Sequence, residues 1–197
     1  MANDSSTGGY LLPADAPAPE EDAELDALFQ AAVRNITGLP GSLVRPRWQP
    51  GNPKQPEPGV DWCAIGVMVQ EPDAGPALIP EGDGSGATRS ERHEEIEVLA
   101  TFYGPHRQAF AARLRDGIAI PQNMEALQTS AIGFVECGPI RSIPEIVNQQ
   151  WIRRSDMLLR FRRKATHIYP IRTIAAADIH LFDDTHIDEY ITVPPAP

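Results

Sequence analysis

The chain has 197 residues, 42% of them apolar, enough for one core of ordinary size, and its 20 prolines are about twice the usual share. Its net charge of −10 argues against a general nucleic-acid binder, because gripping phosphates takes a concentrated basic face. No apolar run approaches the roughly 20 residues of a membrane helix and no basic, apolar leader opens the chain, so a soluble protein made in a cytoplasm is expected.

Residues 1–21, "MANDSSTGGYLLPADAPAPEE", are rich in Ala, Pro, Ser and acids and show no periodicity. They predict an extended or disordered N-terminal arm whose adhesive spot is Tyr10, Leu11 and Leu12. Leu25, Leu28, Phe29, Ala32, Val33 and Ile36 recur at helical spacing, which predicts a helix from Asp22 to Ile36, stopped by Gly38-Leu-Pro. "SLVRPRW" reads as a short edge strand, since Pro46 has no N–H to give a ladder. Residues 49–60 then carry Pro50, Pro53, Pro56 and Pro58. Proline fixes φ and removes a donor, so this stretch is no inner strand. It reads as a semi-rigid crossing, anchored at its roots by Trp48 and Trp62 and shaped to fit against another protein.

"WCAIGVMVQ", residues 62–70, is apolar on both faces and predicts a central strand. Residues 71–92 are full of turn formers and predict a long surface loop that orders against a partner, with Asp83 and Ser85 as candidate contacts. "EEIEVLATFYG", residues 94–104, is the next strand, with Ile96, Val98, Ala100 and Phe102 on one face; the acids of "RHEE" blunt its start. A helix follows with Pro105 in its first turn and a buried stripe of Phe110, Leu114 and Ile118, then a shorter one from Pro121 to about Thr129. "AIGFVECGPI", residues 131–140, predicts a strand, and "SDMLLRFRRKATHIYPI", residues 155–171, a long one. In the latter Met157, Leu159 and Phe161 point one way, while Arg160, Arg162 and Lys164 face solvent or a partner. A weaker strand closes the chain from Thr173 to Leu181. The fold class is α+β: a mostly antiparallel sheet, helices packed on one face, long loops and extended terminal arms. Residues 22–184 form the domain and 185–197 a C-terminal tail.

Charge is unevenly placed. Residues 1–30 hold seven acids and no Lys or Arg, whereas Arg153, Arg154, Arg160, Arg162, Arg163, Lys164 and Arg172 crowd residues 153–172 beside a single acid, Asp156. Such asymmetry lets the acidic end of one copy meet the basic strand of another.

Catalytic machinery is sparse in the sequence. "GDGSGA", residues 82–87, lacks the preceding strand, following helix and Lys-Ser/Thr of a phosphate loop, and reads as a loop tip. "HLFDDTH", residues 180–186, groups His180, Asp183, Asp184 and His186, but in a polar region with no apolar wall to hold ligand geometry. Cys63 and Cys137 sit in apolar runs and predict two free thiols in a reducing compartment. No Gly-x-Ser-x-Gly elbow is present. The three tryptophans predict core or interface packing. Neither an enzyme nor a cofactor or metal protein is expected.

"LVRPRWQPGNPKQPEPGVDWCAIGV", "EEIEVLATFYGPHRQAFAARLRDG" and "SDMLLRFRRKATHIYPI" together resemble the neck and tail terminator family of bacteriophages, from about Asp22 to Asp184. The resemblance implies a small α/β sandwich that assembles as a hexameric ring, ends growth of the tail tube and joins the tail to the head connector. It also implies the partners: further copies of the chain, the tail tube protein, a sheath where one exists, and the connector, stopper or collar proteins. The genome would pass through the ring without sequence-specific contacts, no membrane would be involved, and assembly would take place in the host cytoplasm. Interface candidates are Trp48, the four prolines and the basic residues from Arg153 to Lys164. Two alternatives stand beside this reading: another neck ring, such as a stopper or collar, and a small ligand-binding or hydrolytic domain closed by residues 74–92. Subunit number in solution separates a ring-former from the latter.

Overall fold

Helix α1 spans Asp22–Thr37 and buries Leu25, Phe29, Val33 and Thr37, a four-residue repeat along one stripe. Gly38 ends it with φ at 77°, the left-handed conformation that side chains disfavour, and its N–H donates to the Arg34 carbonyl. A short 3-10 turn leads into β1 (Val44–Pro46), which pairs in parallel with β2 (Trp62–Pro72) at one edge of the sheet. Parallel neighbours cannot be joined by a tight turn and need a crossover of about a dozen residues or more. The proline segment is that crossover. The computed structural model describes residues 3–4, 6–14, 19–49, 51, 53–81, 86–147, 149–172, 177–181 and 189–193.

Strand β4 (Ala87–Tyr103) pairs antiparallel with β2, from Trp62 opposite Tyr103 to Pro72 opposite Glu94, with a bulge between Val67 and Val69. Ile96, Val98, Ala100 and Phe102 are fully buried, as the alternation predicts. The strand begins at Ala87, however, and β3 (Ala77–Pro80) pairs with its first part. The expected loop over residues 71–92 is therefore largely a β-hairpin. Leu78 and Ile79 are exposed, so the ladder forms without the buried face that makes a strand visible in sequence. Its tip, with Asp83 and Ser85, lies outside the described residues.

Helices α2 (Arg107–Ile118) and α3 (Pro121–Thr129) follow, α3 with the predicted bounds. Pro105 stands in the turn before α2, and the buried stripe is Ala111, Leu114 and Ile118, with Phe110 only partly buried. Gly104 in that turn has φ at 97°, and a Cβ there would meet the Val60 carbonyl at 2.6 Å. Strands β5 (Ile132–Cys137) and β6 (Arg141–Val147) both pair antiparallel with β7 (Gln150–Pro170). No expected strand corresponds to β6, whose Pro144 has no N–H to give a ladder, and β7 starts at Gln150 rather than Ser155. The sheet order is β1-β2-β4-β7-β5, with β3 added on β4 and β6 on β7. Helix α1 packs on β1, β2, α2 and α3, and α3 packs on β5, so the helices cover one face. The α+β class holds.

The chain divides into two units. One, Pro19–Ala74 with His93–Ala165, contains this core. The other comprises residues 1–18, 75–92 and 166–197. In it, Ala14 bridges Ile168, Arg172 Nε donates to the Thr7 carbonyl at 2.9 Å, and β8 (Ala177–Leu181) pairs with β9 (Glu189–Val193). Tyr10 and Leu12 are exposed.

Candidate functional site: an open sheet face and a projecting hairpin

Alternation along β7 sorts its side chains as predicted. Met157, Leu159 and Phe161 are buried, and Arg160, Arg162 and Lys164 lie on the face opposite the helices. Arg163 falls on the inner side and is 1% exposed. It is not a surface group. Its guanidinium meets Glu94, the Glu21 carboxylate at 2.7 Å and the Glu20 carbonyl at 2.5 Å, beside the start of α1. Glu94 thus does not blunt a strand end. With β4 beginning at Ala87 it sits within the strand and supplies the counter-charge that a buried guanidinium requires.

The outer row is also paired, by acids of β4, β5 and β6, of β7 itself and of the turn after β2. Arg160 reaches Glu97 on β4 at 3.2 Å and Glu136 on β5 at 2.8 Å. Arg162 meets Asp73 at 3.2 Å. Arg154 lies 2.9 Å from Glu145 on β6 and 3.3 Å from Asp156. The hydrogen bond to Glu97, then the charge of Glu136, raise the Arg160 pKa further above its ordinary value. The expected bare basic strip is instead a lattice of alternating signs. Lys164 and Arg153 are exposed. Beside Arg160 a groove of about 360 Å³ is lined by Leu99, Leu158, Ile143 and Pro139 together with Glu136 and Asp156.

Trp62 is 8% exposed and stacks on Tyr103 with ring centroids 4.2 Å apart. It anchors one root of the proline crossover. Trp48 does not anchor the other in the same way: it is 64% exposed, because β1 ends at Pro46 and no strand among the described residues covers it. Its Nε1 donates weakly to the Val67 carbonyl at 3.5 Å, beside Gly66. The crossover itself is tied back by Arg45, whose Nη1 donates to the Lys54 carbonyl at 2.8 Å. Pro53 and Pro58 are exposed, Pro56 is half-buried, and Pro50 lies outside the described residues.

The sequence reading missed the hairpin of β6 and β7. Ile146 and Trp151 face each other across it, 60% and 70% exposed. Trp151 is not core: among the described residues it stays mostly exposed. Pro58, Gly59, Gly104 and Pro105 line a recess with it, past the end of β4.

Both cysteines are free; burial pushes each thiol's pKa up, most strongly at Cys63, so neither carries an activated thiolate. Among the described residues no group of three or more His, Cys, Asp or Glu is placed to hold a metal, and no helix is long and apolar enough to cross a membrane. Asp183, Asp184 and His186 lie outside the described residues.

No curated protein matches the chain. The profile of a family described as phage neck terminator protein matches residues 23–185, most of the chain and all of the helix-covered core. The paired charges and the exposed Trp48 and Trp151 suit a protein that binds other proteins. The chain belongs to the phage neck terminator family, and its role is structural, in the neck of a bacteriophage virion.

Proposed function

We propose that copies of this chain close into a ring, hexameric as the family resemblance implies, that ends the tail tube and joins it to the head connector. Family membership over residues 23–185 carries the reading. The fold is suited to it in a physical sense. Helices cover one face of the sheet, and the other presents charged and apolar groups that stay soluble in a free subunit and can be covered in an assembly. Subunits would fold in the host cytoplasm and remain in the virion, touching the tube protein on one side and connector, stopper or collar proteins on the other. The genome would cross the ring as a rod of phosphates, with no base read. The acidic balance of the chain favours this, since a basic lumen would hold DNA back.

Electron microscopy of the purified protein, alone and mixed with tail tubes, tests the reading. Rings of uniform diameter, seated at tube ends, are expected. A protein that stays monomeric at every concentration and leaves tube ends bare overturns it.

A further inference from the structure

Resting on the ring reading, the structure assigns the contact between adjacent copies: the β6–β7 hairpin of one subunit docks into the edge groove between α1 and β2 of the next. The hairpin is an apolar knob with basic flanks. Trp151 and Ile146 form a directly opposed pair, both mostly exposed. Arg153, two residues on and thus on the same side of β7, lines a recess with Pro144 and Arg107. Arg107 Nε is buried without a hydrogen-bond partner among the described residues, a donor left waiting for an acceptor.

The groove has the complementary character. Beyond Pro46 no strand among the described residues pairs with this edge of β2, and Asp26 and Trp48 take its place: Asp26 accepts from the Val67 N–H at 3.0 Å, and Trp48 donates to the Val67 carbonyl. Trp48, Met68 and Val69 are 64%, 43% and 43% exposed there. With Asp22 and Asp26 they line a groove of about 320 Å³. One surface is apolar and basic, the other apolar and acidic.

The two lie far apart on one sheet. The groove flanks Val67 and Val69, opposite Val98 and Glu97, whereas the hairpin lies past Gly104. Seven residues of strand separate those levels, about 23 Å at 3.3 Å per residue, and β4 stands between β2 and β7. A contact between two distant, unlike patches is head-to-tail, and its repetition gives a ring where the rotation per copy closes and an open filament where it does not. The sheet makes the angle between patches a fixed property of the subunit.

Mixing two broken copies tests this. Trp151→Ser removes the knob; Asp22→Arg with Met68→Ser spoils the groove. All three residues are solvent-facing, and unchanged thermal melting verifies the fold. Arg153→Glu, which removes no packing, serves as a second knob variant. In sedimentation velocity each variant alone is expected to need a concentration at least about tenfold higher than wild type to assemble, the effect of losing one buried anchor. A mixture of knob and groove variants keeps one intact interface, so native mass spectrometry should show one-to-one dimers and no rings. If wild type assembles and the variants assemble equally well, the contact is wrong and the ring reading survives. If wild type itself never assembles, alone or with tail tubes, the ring reading falls and takes the contact with it.

Discussion

Strand β7 carries arginines on both faces, and the two faces use them differently. On the inner side Arg163 is 1% exposed and bound to two carboxylates and a carbonyl, while on the outer side Arg160 and Arg162 keep 41% and 52% of their side-chain surface in water. Both are close ion pairs, but the dielectric around them differs. A buried guanidinium has lost its hydration, so its partners must replace it, whereas an exposed one trades protein contacts against water at little net gain. Arg163 therefore holds the start of α1 to the middle of β4 and β7, and the outer row sets the character of a surface.

If this contrast is right, Arg163→Met has the largest effect. It strips the counter-charge from Glu94 and releases Glu21, and the loss of one partner from a buried pair costs about 3–5 kcal/mol. For a chain of this size that lowers the melting temperature on the order of 10 °C, readable by circular dichroism. Glu94→Gln is gentler, since Glu21 still faces the guanidinium. A cost of about 1–3 kcal/mol is expected in urea unfolding with an unchanged m-value. A loss as large as that of Arg163→Met would mean that Glu21 contributes nothing.

The inner side also holds a titrating group. Burial raises the Cys63 thiol above its ordinary value of 9.0, so the folded state keeps it protonated while the unfolded chain can ionise it. Its stabilising contribution is complete below pH 9.0 and declines above it, by up to about 1.4 kcal/mol per pH unit. Cys63→Ala should flatten the alkaline limb of the stability curve relative to wild type. A parallel limb in both proteins would show that the thiol is accessible in the folded state.

The outer face should yield least. Replacing Arg160 and Arg162 together by Gln is expected to move the melting temperature by no more than about 3 °C, and by less at high salt. A shift comparable to that of Arg163→Met would erase the distinction between the faces. The same double variant gauges whether the charge lattice takes part in assembly: its ring-forming concentration should change more than its melting temperature.

Much of the core was readable from sequence because burial imposes a period. Leu25, Phe29 and Val33 repeat at helical spacing, and Ile96, Val98, Ala100 and Phe102 alternate, since each must face the same interior. Proline and glycine marked the ends of α1, β1 and α3 for equally local reasons, φ restriction and a missing donor. Among the segments that escaped, together with the start of β7 and β9, are β3, the first part of β4 and β6; they extend where no interior imposes a regular alternation, and backbone pairing makes them strands. Arg163 looked like its neighbours in a basic run because its partners lie 69 and 142 residues away in the chain, at Glu94 and Glu21. The same holds outside: Glu97 is 63 residues from Arg160 and Glu136 is 24. The sequence by itself determined which residues are apolar, where the chain turns and which face each strand buries, all consequences of local geometry. Which charge meets which, and that Trp48 and Trp151 are left uncovered at distant places, followed only from strand order and register, because those bring together residues that no local rule connects.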